Sequence, residues 1–223
     1  MTKLLVVGGA RQGIGTAVAG LAVKNGLDVN VPDLYALDVT KQGTIDRYLK
    51  IHGPFDLVVY SVGMQKLQTI NKIDMSTVHH IFDLNVNGYL RVITSLVKHQ
   101  HGGRVCAVVS NASHTPMRGS IAYCTSKAAL AMAVRCAARE LAPHWVMTGV
   151  SPGVVDETPM TKSVDQQVME VRRWDREQMM EYELSMVPMG RRVTKQEVAE
   201  TVMFALTAPE MMTGTIIELT GGK

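Results

Sequence analysis

Apolar residues along this chain come in short continuous runs, not in strict alternation with polar ones. Leu4–Val7, Val29–Val31, Phe55–Ser61, Arg104–Ser110, Trp145–Val150 and Thr215–Leu219 are such runs. Runs of this length without a polar face read as strands buried on both sides. Between them the apolar spacing turns helical. It does so from the first glycines to about Asn25, then over Thr44–Ile51, Ser76–Lys98, Ile121–Leu141 and Lys195–Leu206. Strands alternating with helices predict a parallel sheet covered on both faces.

That arrangement is a doubly wound, Rossmann-like α/β fold, and 223 residues suit a single domain spanning 1–223. One connection breaks the pattern. Only six residues lie between Val31 and Asp38, whereas a parallel crossover takes about a dozen. The helix expected after the second strand is therefore predicted to be missing. The strand after it is predicted to be a stub around Ala36–Val39, or lost.

Composition changes this picture little. At 46% hydrophobic and 19% charged, the chain is too apolar for a disordered one. A formal charge of +3 with no dense basic tract argues against nucleic acid. Arg172-Arg173 and Arg191-Arg192 read as solvated surface pairs. No segment is long enough to cross a bilayer, and the start lacks the length of a leader. Three cysteines, an odd count without paired spacing, suggest reduced thiols and a cytoplasmic setting, with Cys106 a core thiol. No His, Cys and Asp grouping has metal-ligand spacing, so no metal is expected.

The chemistry sits at four places. Gly8-Gly9-Ala10-Arg11-Gln12-Gly13-Ile14-Gly15 follows a strand and opens a helix. Glycines there permit a tight turn and let backbone N–H groups approach a pyrophosphate at the positive helix end. Asp33 lies 20 residues beyond Gly13, where a carboxylate can accept ribose hydroxyls and repel a 2′-phosphate. That favours NAD, although Pro32-Asp33 is also an ordinary turn pair and Arg11 would suit the 2′-phosphate of NADP. Tyr123 and Lys127 are four apart and share a helix face. An ammonium beside a phenol stabilises the phenolate and lowers its pKa, which makes a general acid/base at neutral pH. Ser110 ends a strand 13 residues earlier, at the edge where such sheets bind ligands.

Together these residues resemble the short-chain dehydrogenase/reductase family over essentially the whole chain. The glycine pattern matches Gly9, Gly13 and Gly15, the adenine-bordering Asp matches Asp38 before Val39, and the family's Asn matches Asn85. The catalytic Ser, Tyr and Lys match Ser110, Tyr123 and Lys127. The Pro-Gly that passes the nicotinamide matches Pro152-Gly153, followed by Val155 and Thr158. The resemblance implies an NAD(P)-dependent oxidoreductase that interconverts an alcohol and a carbonyl. Tyr123 would be the general acid/base and Ser110 would orient the substrate oxygen. Lys127 would tune the tyrosine and hold the nicotinamide ribose, and Asn85 would hold a water in a proton relay. Cofactor contacts would come from Gly9, Arg11, Gln12, Gly13, Ile14, Gly15, Asp33, Asp38, Val39, Ser61, Val62, Gly63, Tyr123, Lys127, Pro152, Gly153 and Val155. A homo-oligomer, tetramer or dimer, is also implied, packed through Ser76–Lys98 and Ile121–Leu141.

Departures from the family pattern accompany the match. Tyr60-Ser61-Val62-Gly63 replaces the usual Asn-Asn-Ala-Gly, and Gly8 stands where Thr is usual. Glu157 is an extra residue before Thr158. Residues 156–191, charged and rich in Met, fall where the family places its substrate lid, though Met-rich helices that merely pack on the domain would read the same way. His114 reads as a loop bystander near Ser110. A nicotinamide-using epimerase or dehydratase would need the same Tyr and Lys, and a regulatory or scaffold protein would share only the fold.

Overall fold

The computed structural model describes residues Met1–Lys223. Six strands form one parallel sheet: β1 (Lys3–Val7), β2 (Asp28–Asn30), β3 (Leu57–Tyr60), β4 (Gly103–Val108), β5 (Trp145–Pro152) and β6 (Ile216–Leu219). Their order is β2-β1-β3-β4-β5-β6, so the chain turns outward in both directions from β1. Register is continuous: Val7 pairs with Tyr60, Tyr60 with Ala107, and Ala107 with Gly149. The carboxyl ends of β1, β3, β4 and β5 therefore open on one edge, beside the point where the order reverses. Ligand crevices form there in such sheets.

Alternate residues of each strand point to opposite faces, and each face has its own core. Leu5, Val7, Val58 and Tyr60 pack under α2 (Gln42–His52), α4 (Gly88–His99) and α5 (Ile121–Leu141), through Ile45, Tyr89, Val92, Leu130 and Val134. Leu4, Val6, Val59 and Cys106 pack under α1 (Ile14–Lys24) and α8 (Lys195–Thr207), through Val18, Val198, Val202 and Leu206. Cys106 is a free buried thiol that burial pushes up to about 12. No helix is long and apolar enough to cross a membrane.

No helix lies between Val31 and Lys41, and the next element after β2 is α2, which makes the crossover to β3. Residues 34–36 form a turn and Ala36–Val39 makes no strand, while Leu37 and Val39 drop into the core beside α2 and α4. The stretch read as one helix over Ser76–Lys98 is two, α3 (Met75–Phe82) and α4, joined by a π-helical turn at Asp83–Asn87. Such wide turns let one side chain leave the helical spacing, and here Asn85 does so. Residues 156–191 supply two further helices, α6 (Pro159–Arg172) and α7 (Arg176–Ser185).

Candidate active site

The glycine turn joins β1 to α1. Gly8, Gly9 and Gly13 hold φ of 91°, 98° and 100°, a region that side-chain-bearing residues rarely adopt. A methyl on Gly15 would lie well inside contact distance of the Gly8 carbonyl and 2.6 Å from Ser61 Oγ. Ser61 in turn donates to the carbonyls of Gly8 (2.9 Å) and Val7 (3.3 Å), which stitches β3 to the turn. A Cβ on Gly8 would meet Val62 Cγ2 at 2.9 Å. Glycine at this place is thus matched to Val62. On the other side the turn is open. Nothing lies within 4 Å of where a Gly13 Cβ would be, and α1 begins without a side-chain cap. Arg11 and Gln12 are exposed beside it. Uncapped amides over open space, at the positive end of a helix, fit a pyrophosphate.

The adenosine-side residues are held by local bonds. Asp33 Oδ1 accepts from the N–H of Tyr35 (3.0 Å) and Ala36 (2.9 Å). One carboxylate oxygen thus fastens the turn that replaces the missing helix. Asp38 accepts from Thr40 N–H (2.9 Å) and Oγ1 (2.7 Å) and pairs with Lys41 Nζ at 3.2 Å. Partial burial acts to raise its pKa, yet these bonds hold the carboxyl below its ordinary value.

Ser110 follows β4, and Tyr123 and Lys127 lie on the first turns of α5. All three are buried. Burial pushes the Tyr123 phenol up to about 12; the hydrogen bond with Ser110 opposes the rise and Cys124 adds to it. The expectation that Lys127 lowers this phenol is corrected here. The ammonium donates to the Val108 carbonyl at 2.8 Å and lies 5.8 Å from the phenol ring centroid. With the ammonium turned to the strand carbonyl, desolvation is the largest influence on the phenol and outweighs Ser110.

Burial also pulls Lys127 down to about 8. Below that pH the folded state must hold a buried charge. Between about 8 and 10.5 only the unfolded state stays protonated, so stability rises with pH across that window. The desolvation cost at pH 7 is on the order of 3 kcal/mol, and losing one hydrogen bond costs about 1 kcal/mol. Lys127→Met is therefore expected to raise the melting temperature at pH 7 by several degrees. The gain should shrink towards pH 10 in thermal melts. A lower melting temperature at pH 7 would show that the Val108 bond outweighs the buried charge.

Asn85 is fully buried. Its Oδ1 accepts from Met64 N–H (2.8 Å), and its Nδ2 donates to the Met64 carbonyl (3.0 Å) and Ser126 Oγ (2.9 Å). The side chain ties the loop after β3 to α5. Gly63, in that loop, is the meeting point: a Cβ there would lie 3.5 Å from Lys127 Nζ, 3.6 Å from Asn85 Oδ1 and 3.7 Å from Met160 Cε. Pro152 ends β5, Gly153 follows it and Val155 is buried. Glu157 takes φ of 55°, and after this left-handed step Thr158 caps α6 by accepting from Thr161 N–H at 3.0 Å.

Arg192, read as half of a solvated pair, is instead buried and bound to carboxylates of α6 and α7. Its partners lie 9 and 27 residues away, so no local spacing announced it. His114 faces Glu218 at 3.5 Å. No group of three His, Cys, Asp or Glu side chains is placed to hold a metal.

The short chain dehydrogenase family pattern matches residues 33–169, more than half of the chain. The chain belongs to this family. D-erythrulose reductase from Gallus gallus is 26% identical to this short-chain dehydrogenase over 97% of it and 94% of the relative. A short chain dehydrogenase family protein from Francisella tularensis subsp. tularensis SCHU S4 superposes with a TM-score of 0.88 at 27% identity, covering 100% of this chain and 98% of its own. An actinorhodin polyketide ketoreductase, in a structure with NADPH, superposes at 0.89 with 24% identity, covering 99% and 97%; that likeness is one of fold. With reductases among its relatives, this short-chain dehydrogenase is an oxidoreductase.

Proposed function

We propose that the protein is an NAD(P)-dependent oxidoreductase of alcohols and carbonyls, with Tyr123 as the proton-transfer group. The observation that carries this is convergence at one sheet edge: Ser110 against the Tyr123 phenol, Lys127 four residues further on, and an open glycine cradle at the end of β1. The residues fit a dinucleotide. The turn of Gly9, Arg11, Gln12, Gly13, Ile14 and Gly15 would hold the pyrophosphate. Asp33, Asp38 and Val39 would border the adenosine, and the backbone of Ser61, Val62 and Gly63 would line its path. Pro152, Gly153 and Val155 would face the nicotinamide. When bound, that ring gives or takes the hydride.

The chain's own groups do the rest. Ser110 Oγ accepts from Ala112 N–H at 3.2 Å and donates to Asn111 Oδ1 across a long 3.4 Å, a bond its proton would leave for a substrate oxygen. A phenol near 12 is protonated at neutral pH, so Tyr123 is set to donate its proton to a carbonyl oxygen as charge develops there. This supports the reducing direction. Lys127, held by the Val108 carbonyl at 2.8 Å, would offer its remaining protons to a ribose hydroxyl of the bound coenzyme. Segment 156–191 closes over the substrate as a lid, with Met160 against Gly63.

Titration with NADH and NADPH, followed by fluorescence or heat, tests the reading. One Asp33 oxygen makes no hydrogen bond within the chain. Its charge against a 2′-phosphate is expected to favour NADH by about tenfold, equivalent to about 1.4 kcal/mol. Tighter NADPH binding would mean that Arg11 decides the choice. Binding of neither would sink the oxidoreductase mechanism.

A further inference from the structure

Resting on the reading of residues 156–191 as a lid, we propose that Arg192 is the positioning residue that holds α6 and α7 closed over Lys127. Its side chain is 5% exposed and makes two forked ion pairs with two different helices. Toward Glu183 of α7, Nε and one terminal nitrogen lie 2.7 and 2.8 Å from the two carboxylate oxygens. Toward Asp165 of α6, both terminal nitrogens lie at 2.9 Å. Asp156 approaches to 3.6 Å, and Met179 Sδ closes the remaining side at 3.8 Å. Only a planar guanidinium can engage two carboxylates in this way.

The backbone beside Arg192 is fixed to the other half of the site. Val193 N–H donates to the Val154 carbonyl at 3.0 Å, and Asp156 N–H donates to the Val193 carbonyl at 2.8 Å. Residues 192–193 thus form a short bridge to the loop that leaves Pro152-Gly153. The backbone is tied to the loop proposed to face the nicotinamide, and the side chain grips both lid helices. On either side of Asp165, α6 approaches the loop after β3. Leu67 N–H donates to Gln167 Oε1 at 3.0 Å, and a Cβ on Gly63 would lie between Met160 Cε at 3.7 Å and Lys127 Nζ at 3.5 Å. Without the guanidinium, three carboxylates from two helices and the loop would face one another, and like charges in a half-buried place repel. The closed lid is therefore conditional on Arg192.

Lysine acetylation with an N-hydroxysuccinimide ester, read by mass spectrometry on the full chain without coenzyme, tests this without any substrate. In Arg192→Met, Lys127 is expected to be labelled roughly tenfold faster, as local opening of the lid exposes it. Amide exchange should quicken over residues 159–185. Exchange in β3, β4 and β5, and labelling of the exposed Lys98, should not change. Arg192→Lys keeps the charge but not the double fork, and should fall between. If Arg192→Met does not fold, Asp165→Asn loosens the α6 fork alone and gives the same readout. Equal Lys127 labelling with α6 and α7 still protected would overturn the proposal. A wild type that binds neither NADH nor NADPH would refute the mechanism above yet leave the labelling contrast intact.

Discussion

Tyr123→Phe is expected to lower carbonyl turnover by about a thousandfold, the usual worth of one well-placed general acid. The replaced atom is a single hydroxyl in contact with Ser110, and the ring fills the same buried volume. The variant should therefore fold and bind coenzyme like the parent. Coenzyme affinity and turnover, measured side by side, separate the outcomes. Unchanged affinity with collapsed turnover assigns the proton to Tyr123. Turnover within a few-fold of wild type would move proton transfer to another group, and the role given to Ser110 would fall with it.

Gly15→Ala should damage a different link. The added methyl has no room, because the Gly8 carbonyl and Ser61 Oγ already occupy its place. Relief requires the turn to lift from β3 and the two Ser61 hydrogen bonds to break. Overpacking of this kind, with those bonds lost, costs about 3 kcal/mol. A drop in melting temperature of roughly 6–12 °C follows for a chain of this size, and coenzyme affinity should fall with it because the cradle is displaced. Gly13→Ala is the contrast. No atom stands where its methyl would go, so only the strain of positive φ is added and the loss of stability should be smaller. Similar melting temperatures for the two variants would show that backbone strain, not the collision, governs the turn.

Much of this architecture was legible because strands buried on both faces leave an unmistakable run of apolar residues. Val6-Val7 and Val58-Val59 can sit nowhere else. The absence of a helix between Val31 and Asp38 was readable from chain length alone, since six residues cannot make a crossover. The convergence of Ser110 with Tyr123 was approachable because one ends a strand and the other opens the following helix. What escaped is what depends on packing between distant segments. Asn85 lies in a stretch whose apolar spacing suits one unbroken helix, and only its bonds to Met64 and Ser126 require the wide turn. The phenol's pKa followed desolvation because Lys127 had a nearer partner in Val108. Arg192 carried no local sign of burial, because its carboxylates belong to helices that meet it only after folding.

The shortened connection after β2 has a consequence for life in a crowded solution. An edge strand presents unpaired N–H and C=O groups, an invitation for another chain to add itself to the sheet. Here that edge is only Asp28-Val29-Asn30, flanked by the polar turn of Asp33 and preceded in rank by nothing else. Pro32 follows almost at once and offers no N–H to a visiting strand. By ending this side of the sheet on three residues with a carboxylate and a proline beside them, the chain leaves little template for another strand at the β2 edge. The turn that leaves the adenosine side without a helix thus also keeps this edge of the sheet short.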